Sequence, residues 1–153
     1  MGQTVKEALE IVAWVVRQED ISSVWPTIIP WLMESQKFGN GEYLPEDIYM
    51  ALINGTMQLT LAANQERLLG CVVTTILFYP RKKVMHVLEM GGSAPAKDWS
   101  RAILAELLNG AKTLNIDSIT AVTYPVMARA LRRYGFTSQA TFISRNTSNE
   151  NLH

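Results

Sequence analysis

Residues 88–142 read LEMGGSAPAKDWSRAILAELLNGAKTLNIDSITAVTYPVMARALRRYGFTSQATF, and the order of patterns in this stretch sets the fold. Residues 84–90 (VMHVLEM) form an apolar, strand-like run that leads into it and breaks at Gly91 and Gly92. A helical pattern follows, with Trp99, Ile103, Leu107, Leu108, Ala111 and Leu114 expected on one face. Glycines between a strand and a helix N-terminus present amide N–H groups to an anion. A second strand is expected over residues 118–124 (SITAVTY), and Pro125 suits the first turn of the helix after it. That helix, residues 126–134, places Met127, Ala130, Leu131 and Tyr134 on its buried side and stops at Gly135, which tolerates a left-handed C′ geometry. Phe136 is expected to open a last strand.

Ahead of this stretch, residues 57–63 and 68–78 read as strands around the turn 64–67, and Pro80 to Lys83 turns the chain into residues 84–90. Three antiparallel strands result. Earlier still, Pro45-Glu46-Asp47 opens a helix that runs to Asn54 and ends at Gly55, with proline and acids at favoured N-terminal positions. Residues 38–43 are a glycine-containing loop. Before it, Asp20 or Ser22 caps a helix that passes Trp25 and reaches Met33; Pro26 belongs in its first turn and Pro30 is expected to kink or interrupt it. Residues 5–16 fit either a helix or, near their end, a first strand. A single domain over residues 1–145 is expected, with residues 146–153 (NTSNENLH) a tail too polar to pack by itself.

Composition sets bounds. The chain has 153 residues, of which 48% are hydrophobic, enough for one core, and its formal net charge is zero. Nothing in the totals asks for nucleic acid or an anionic membrane surface. No apolar run approaches the ~20 residues needed to cross a bilayer. The one cysteine, Cys71, lies in an apolar run and reads as a small buried hydrophobe, which suits a reducing cytoplasm. Two histidines, His86 and His153, with that cysteine make no metal cluster, so no metal is expected. The Arg81-Lys82-Lys83 tip and the Arg129, Arg132 and Arg133 face suit solvated positions.

With this order and spacing, the chain resembles the GNAT family, the Gcn5-related N-acetyltransferases, over residues 57–145; residues 127–136 (MARALRRYGF) look like that family's closing helix and its Gly-Phe. The resemblance implies an α/β fold with a mixed, mostly antiparallel central sheet, flanked by helices and splayed at its central strands. Small GNAT-like proteins of tailed bacteriophages resemble the chain more closely. The marks of that group are a Trp-Pro helix (Trp25-Pro26), a Pro-Arg-Lys-Lys hairpin (Pro80 to Lys83) and Gly91-Gly92 followed by Trp99.

The family's cofactor-gripping loop is Gln/Arg-x-x-Gly-x-Gly/Ala, whereas this chain has Gly91-Gly92-Ser93-Ala94-Pro95-Ala96-Lys97-Asp98. Gly91, Gly92, Ser93 and Lys97 are the cofactor-binding candidates. Pro95 removes one N–H, and Asp98, if it caps the helix, places a carboxylate where a phosphate would sit; a start with Ser93 as cap frees the site and brings Lys97 near. The family's thiolate-protonating tyrosine, four residues before the helix-ending glycine, is replaced by Leu131, and its usual asparagine corresponds to Tyr124. Glu89 is the base candidate, since such enzymes draw a base from the strand before the loop. His86 and Glu89 differ by three, so a regular strand does not turn both to one face.

Three functions fit these residues. The favoured one is a GNAT-fold phage protein serving in the virion or its assembly, with a degraded catalytic signature, no cofactor, and other phage structural proteins or itself as partner. Its location is then the virion, with the host cytoplasm during infection. Trp25 and Trp31, in a chain with four tryptophans, are the partner-binding candidates. The second is an acetyl-CoA-dependent N-acetyltransferase with Glu89 and Tyr124 as catalytic candidates, and the third a host-directed binding protein.

Overall fold

The computed structural model describes residues 10–148 except Phe38, Asn40 and Tyr124, and gives the backbone alone at Pro125 and Val126. The chain divides into two compact units, Met1–Ala121 and Val122–His153.

The first unit is built on a five-stranded sheet in the order β1-β2-β3-β4-β5. Its strands are β1 (Val12–Val15), β2 (Gln58–Ala63), β3 (Leu68–Tyr79), β4 (Lys82–Gly92) and β5 (Ser118–Ala121). The first four pair antiparallel in sequence, and β5 joins β4 in parallel. This is the mixed, mostly antiparallel sheet the sequence implied. One face carries α1 (Ile21–Gln36) and α2 (Pro45–Asn54) over a core of Ile28, Leu32, Ile48, Leu52, Leu59, Leu61, Cys71 and Val73. The other face carries α3 (Ala96–Thr113), whose Trp99, Ile103, Leu107 and Ala111 pack on Ala62, Leu69, Val72 and Met85. Alternating strand residues feed the two cores, as the period of two demands.

Several expectations are corrected. The helix α1 runs unbroken past Met33 to Gln36, although Pro26 and Pro30 lie inside it. The two prolines stand four apart and both are exposed, so the carbonyls they leave without a donor lie on the solvent side while Ile21, Ile28 and Leu32 anchor the buried stripe. Of the apolar face expected for α3, Leu108 and Leu114 are exposed: 100° per residue carries Leu108 off the stripe that buries Trp99, Ile103, Leu107 and Ala111, and Leu114 lies past the last helical residue, Thr113. That helix starts at Ala96 with Pro95 at the N-cap, so neither Asp98 nor Ser93 caps it; Asp98 sits in the first turn. The glycine pair is not a loop but the last two residues of β4.

Helix α2 keeps closely to its local signals. Pro45 occupies its first turn, the Asp47 carboxylate accepts from the Leu44 N–H at 2.8 Å, and Gly55 closes it at φ 84°. The early part of the ambiguous stretch 5–16 lies outside the described residues, and its later part forms β1 from Val12 to Val15.

The second unit contains α4 (Pro125–Arg132) and an irregular segment after it. The helix ends two residues before Tyr134, and Gly135 takes φ 88° as expected. Ala130 is exposed rather than buried, while Met127, Leu131 and Tyr134 are half-buried. No strand follows Phe136 among the described residues: nothing there supplies a ladder partner, and short polar bonds such as Gln139 to Thr137 at 2.6 Å shape the segment instead. Among the described residues the buried apolar ones fall between Val16 and Ala111, and Leu131 and Phe136 are only half-buried.

Candidate functional site

Strands β4 and β5 pair from Val84↔Ser118 to Val87↔Ala121 and no further. Beyond Val87 the ladder of β4 continues only with β3, so the central strands part there, as the splay implied by the resemblance requires. The parting coincides with a bulge. Val73 pairs Glu89 and Thr74 pairs Val87, which leaves Leu88 as an extra residue on β4.

That extra residue overturns the expected alternation. Thr75 pairs His86 and Val73 pairs Glu89; Thr75 and Val73 are two apart on an unbroken strand, so His86 and Glu89 share the face under α1 and α2. Leu88 packs into the core on that side as well.

Glu89 is half-buried there and accepts a short hydrogen bond on Oε2 from the Ser35 hydroxyl, carried on the last turn of α1. Burial raises its carboxyl above the ordinary value; the Ser35 bond opposes the rise and the charge of Glu42 adds to it. The His86 ring, bonded through Nδ1 to the Thr120 hydroxyl at 2.8 Å, is pushed the other way, below its ordinary value, by burial. Both groups are thus held towards their neutral forms. Cys71, on the same face, is pushed up to about 12 mainly by burial and stays a thiol.

The glycine pair serves tight packing on both faces. A Cβ on Gly91 would lie 2.8 Å from the Trp31 carbonyl of α1, and one on Gly92 would lie 2.2 Å from the Leu69 carbonyl and 3.1 Å from the Trp99 indole nitrogen. Gly70, paired with Gly92, leaves the rest of the platform on which Trp99 lies, since its Cβ would sit 2.2 Å from that ring. Trp99 is locked from above as well, its indole N–H donating to the Ala94 carbonyl at 3.0 Å.

The family resemblance implies that the loop after β4 receives a cofactor's phosphates. The amides of Ser93 and Ala94 both point at the Leu69 carbonyl, at 2.9 and 3.3 Å, and Pro95 has none. The Ser93 hydroxyl donates to the Leu68 carbonyl at 2.9 Å and lies 3.3 Å from Arg67 Nη1. The Asp98 amide is engaged as well, by the Pro95 carbonyl at 2.9 Å, so an anion here would meet the start of α3 at Ala96 and Lys97, with Arg67 reaching over from the β2–β3 turn. A pyrophosphate would be held there by fewer amides than a loop of free glycines offers, with Asp98 beside it.

The mixed five-stranded sheet and its flanking helices match solved structures. A predicted acetyltransferase from Clostridium acetobutylicum, crystallised with acetyl-CoA, superposes with a TM-score of 0.68 over 93% of this chain and 100% of its own, at 16% identity. The chain has the GNAT acetyltransferase fold. An aminoglycoside acetyltransferase from an uncultured soil metagenomic sample matches at TM-score 0.64 and 11% identity over 89% of this chain and 95% of its own. A ribosomal-protein-alanine N-acetyltransferase from Brucella melitensis biovar Abortus 2308 matches at 0.62 and 13% over 90% and 99%. No protein-family model and no curated protein matches the sequence. At these identities the GNAT likeness is one of fold.

Of the sequence candidates, Glu89, Gly91, Gly92 and Ser93 come together at the end of β4, with Lys97 a turn beyond; Tyr124 lies outside the described residues. Trp25 and Trp31 are half-buried against the first core, and Trp25 meets Tyr49 edge-on at 4.9 Å between ring centroids. The most exposed tryptophan is instead Trp14, at 37%, on edge strand β1. Ser35, Glu42 and Arg67 escaped the sequence reading: each reaches the site from a distant element, and nothing local marks a serine at a helix end or an arginine in a hairpin turn. Among the described residues no helix is long and apolar enough to cross a membrane, and no three His, Cys, Asp or Glu could hold a metal.

Proposed function

We propose that the protein is an acetyl-CoA-dependent N-acetyltransferase in which Glu89 takes the proton from an amine acceptor. The observation that carries this reading is the Leu88 bulge, which turns a half-buried carboxylate of raised proton affinity onto the face where β4 has left β5. A base poised above the ordinary carboxylate range is better matched to an ammonium proton near neutral pH than an exposed glutamate.

Acetyl-CoA, when bound, supplies an acyl thioester, and the net reaction forms an amide N–C bond as the C–S bond breaks and the CoA thiol leaves. The chain's own residues do the rest. Glu89 accepts the amine proton, so that the nitrogen lone pair is available, and later returns that proton to solvent. Ser35 holds the carboxylate. The first turn of α3, Lys97 and Arg67 receive the phosphates, while Gly91 and Gly92 keep the strand end narrow enough for both helix layers to close on it. Leu131 holds the family's usual place for the proton donor to the departing thiolate, and Tyr124, the other catalytic candidate, lies outside the described residues.

A second reading is favoured by one observation, the engagement of the Ser93 and Ala94 amides with Leu69, which weakens the anion site. In it the GNAT scaffold is kept without turnover, as a component of a phage particle or its assembly, or as a host-directed binder, with partners met through aromatics such as Trp25 and Trp31. Calorimetric titration with acetyl-CoA separates the two. Saturable binding that weakens in Lys97→Ala supports the enzyme; absence of heat at any donor concentration leaves the scaffold reading.

A further inference from the structure

Two contacts fasten α1 to β4, and they are in step. On the helix, Trp31 and Ser35 are four apart and so lie on one face; on the strand, Gly91 and Glu89 are two apart and share the other. A Cβ on Gly91 would lie 2.8 Å from the Trp31 carbonyl oxygen, 3.1 Å from the Trp31 Cβ and 3.2 Å from its carbonyl carbon. One helical turn on, the Ser35 hydroxyl donates to Glu89 Oε2 across 54 residues of sequence. The absent side chain sets how close the helix lies, and that closeness brings the hydroxyl within reach of the carboxylate.

We infer that Ser35 is the positioning residue for Glu89: its O–H fixes the carboxylate's rotamer and occupies Oε2, so that proton uptake from the acceptor falls to Oε1, and Gly91 sets the helix-to-strand approach on which this depends. The inference rests on the acetyltransferase reading for its catalytic consequence, but the hydrogen bond acts in the resting protein whether or not a reaction follows.

Among the described residues, the groups facing Glu89 leave the loss of the Ser35 donor with an unmixed sign. Glu42, from the segment ahead of α2, opposes the ionised form. Cys71 on β3 stays a neutral thiol, and His86 on β4 is held towards its neutral form and bonded to Thr120. On α1 itself, Glu34 is paired with Lys37 at 2.7 Å, and both are exposed. A hydroxyl that donates to a carboxylate favours its ionised form, so removing it must move the Glu89 midpoint upward.

The test uses the full chain. Carbon-detected NMR titration of the Glu89 carboxyl is compared among the parent, Ser35→Ala and Ser35→Thr, alongside the pH profile of kcat/KM with acetyl-CoA and a primary amine. Ser35→Ala is expected to raise the midpoint, to move the acid limb of the profile by the same amount, and to lower kcat about tenfold with the donor KM unchanged. Ser35→Thr, which keeps the hydroxyl, restores both. Gly91→Ala is expected to raise the midpoint in the same direction, because the helix must retreat from the new Cβ. An unmoved midpoint in Ser35→Ala overturns the assignment. A parent with no transferase activity defeats the catalytic consequence through the reading it rests on, while the titration still decides whether Ser35 holds Glu89.

Discussion

At its carboxyl end β4 presents one side to α1 and the other to α3, and the two sides are built to different ends. Towards α1 stand Glu89, Ser35 and His86, polar groups kept half-buried, with Glu42 near enough to act on the carboxylate, so that two acid–base groups are displaced from their ordinary proton affinities. Towards α3 stand Gly92, paired Gly70 and the fully buried Trp99, closed by the indole bond to Ala94 and by two amides on Leu69. The first side has unsettled electrostatics and close but adjustable side chains; the second is packed to contact. Under the proposed acetyltransferase reading, proton chemistry falls to the α1 side, and the α3 side is a scaffold beyond which phosphates are received at the start of α3.

The packed side should give the biggest change on mutation. Trp99→Ala removes the ring that fills the glycine platform and should cost ~3–5 kcal/mol of stability, with Leu107→Ala somewhat less at ~2–5 kcal/mol, both read from denaturant melts. Values near zero would mean that the α3 side is not the scaffold described. Next, Glu89→Gln should lower kcat about a hundredfold or more, with the acetyl-CoA KM unchanged, since it removes the base and leaves the phosphate site alone. A comparable loss confined to KM would move Glu89 to the donor side and erase the contrast.

The smaller effects concern charge. Glu89 has a folded value raised above its ordinary 4.5, so its contribution to stability is fully present below that value and is lost as pH rises through the raised folded one. His86 has a folded value below its ordinary 6.5, so its contribution is present above 6.5 and is lost as pH falls through the lower one. Glu89→Gln should therefore melt higher than the parent at neutral pH and gain nothing in acid, whereas replacing His86 by a neutral residue should blunt the acid loss. Identical pH slopes in all three proteins would show that the two groups are not held as described. Smallest of all, Arg67→Ala should weaken acetyl-CoA binding by less than tenfold and leave kcat intact, because an exposed cation adds modestly to an anion site. A larger drop would mean that Arg67, rather than the turn of α3, carries the phosphates.

Sequence patterns announced the helix α3, the three central antiparallel strands and the Pro45 and Gly55 boundaries of α2, because each rests on local signals: a 3.6-residue stripe, alternation, a proline and a glycine at defined positions. They placed Glu89 near the site for the same reason. Its orientation stayed hidden. A bulge at Leu88 is an event between strands, decided by how residues 73 and 74 of β3 meet β4, and no run of residues 86–89 records it. The glycine pair misled in a similar way, since it resembled a phosphate loop while its absent side chains serve Trp31 and Trp99 from opposite faces. Ser35 lies 54 residues from its partner, on a turn of α1 past the point where Pro30 was expected to disturb the helix, so no local pattern joined the two. The strand expected after Phe136 failed for want of a ladder partner, which a single segment cannot supply.

Acetyl transfer itself is the decisive measurement. Parent protein and Glu89→Gln are each incubated with saturating acetyl-CoA and a panel of primary amines near neutral pH, and acetylated amine and released CoA thiol are quantified together by mass spectrometry and thiol titration. The parent is expected to form both products in equal amounts, and Glu89→Gln to form them at least about a hundred times more slowly. Equal rates in the two proteins, or no acetylated amine from the parent with any acceptor, would contradict the assignment of Glu89 as the base of an N-acetyltransferase.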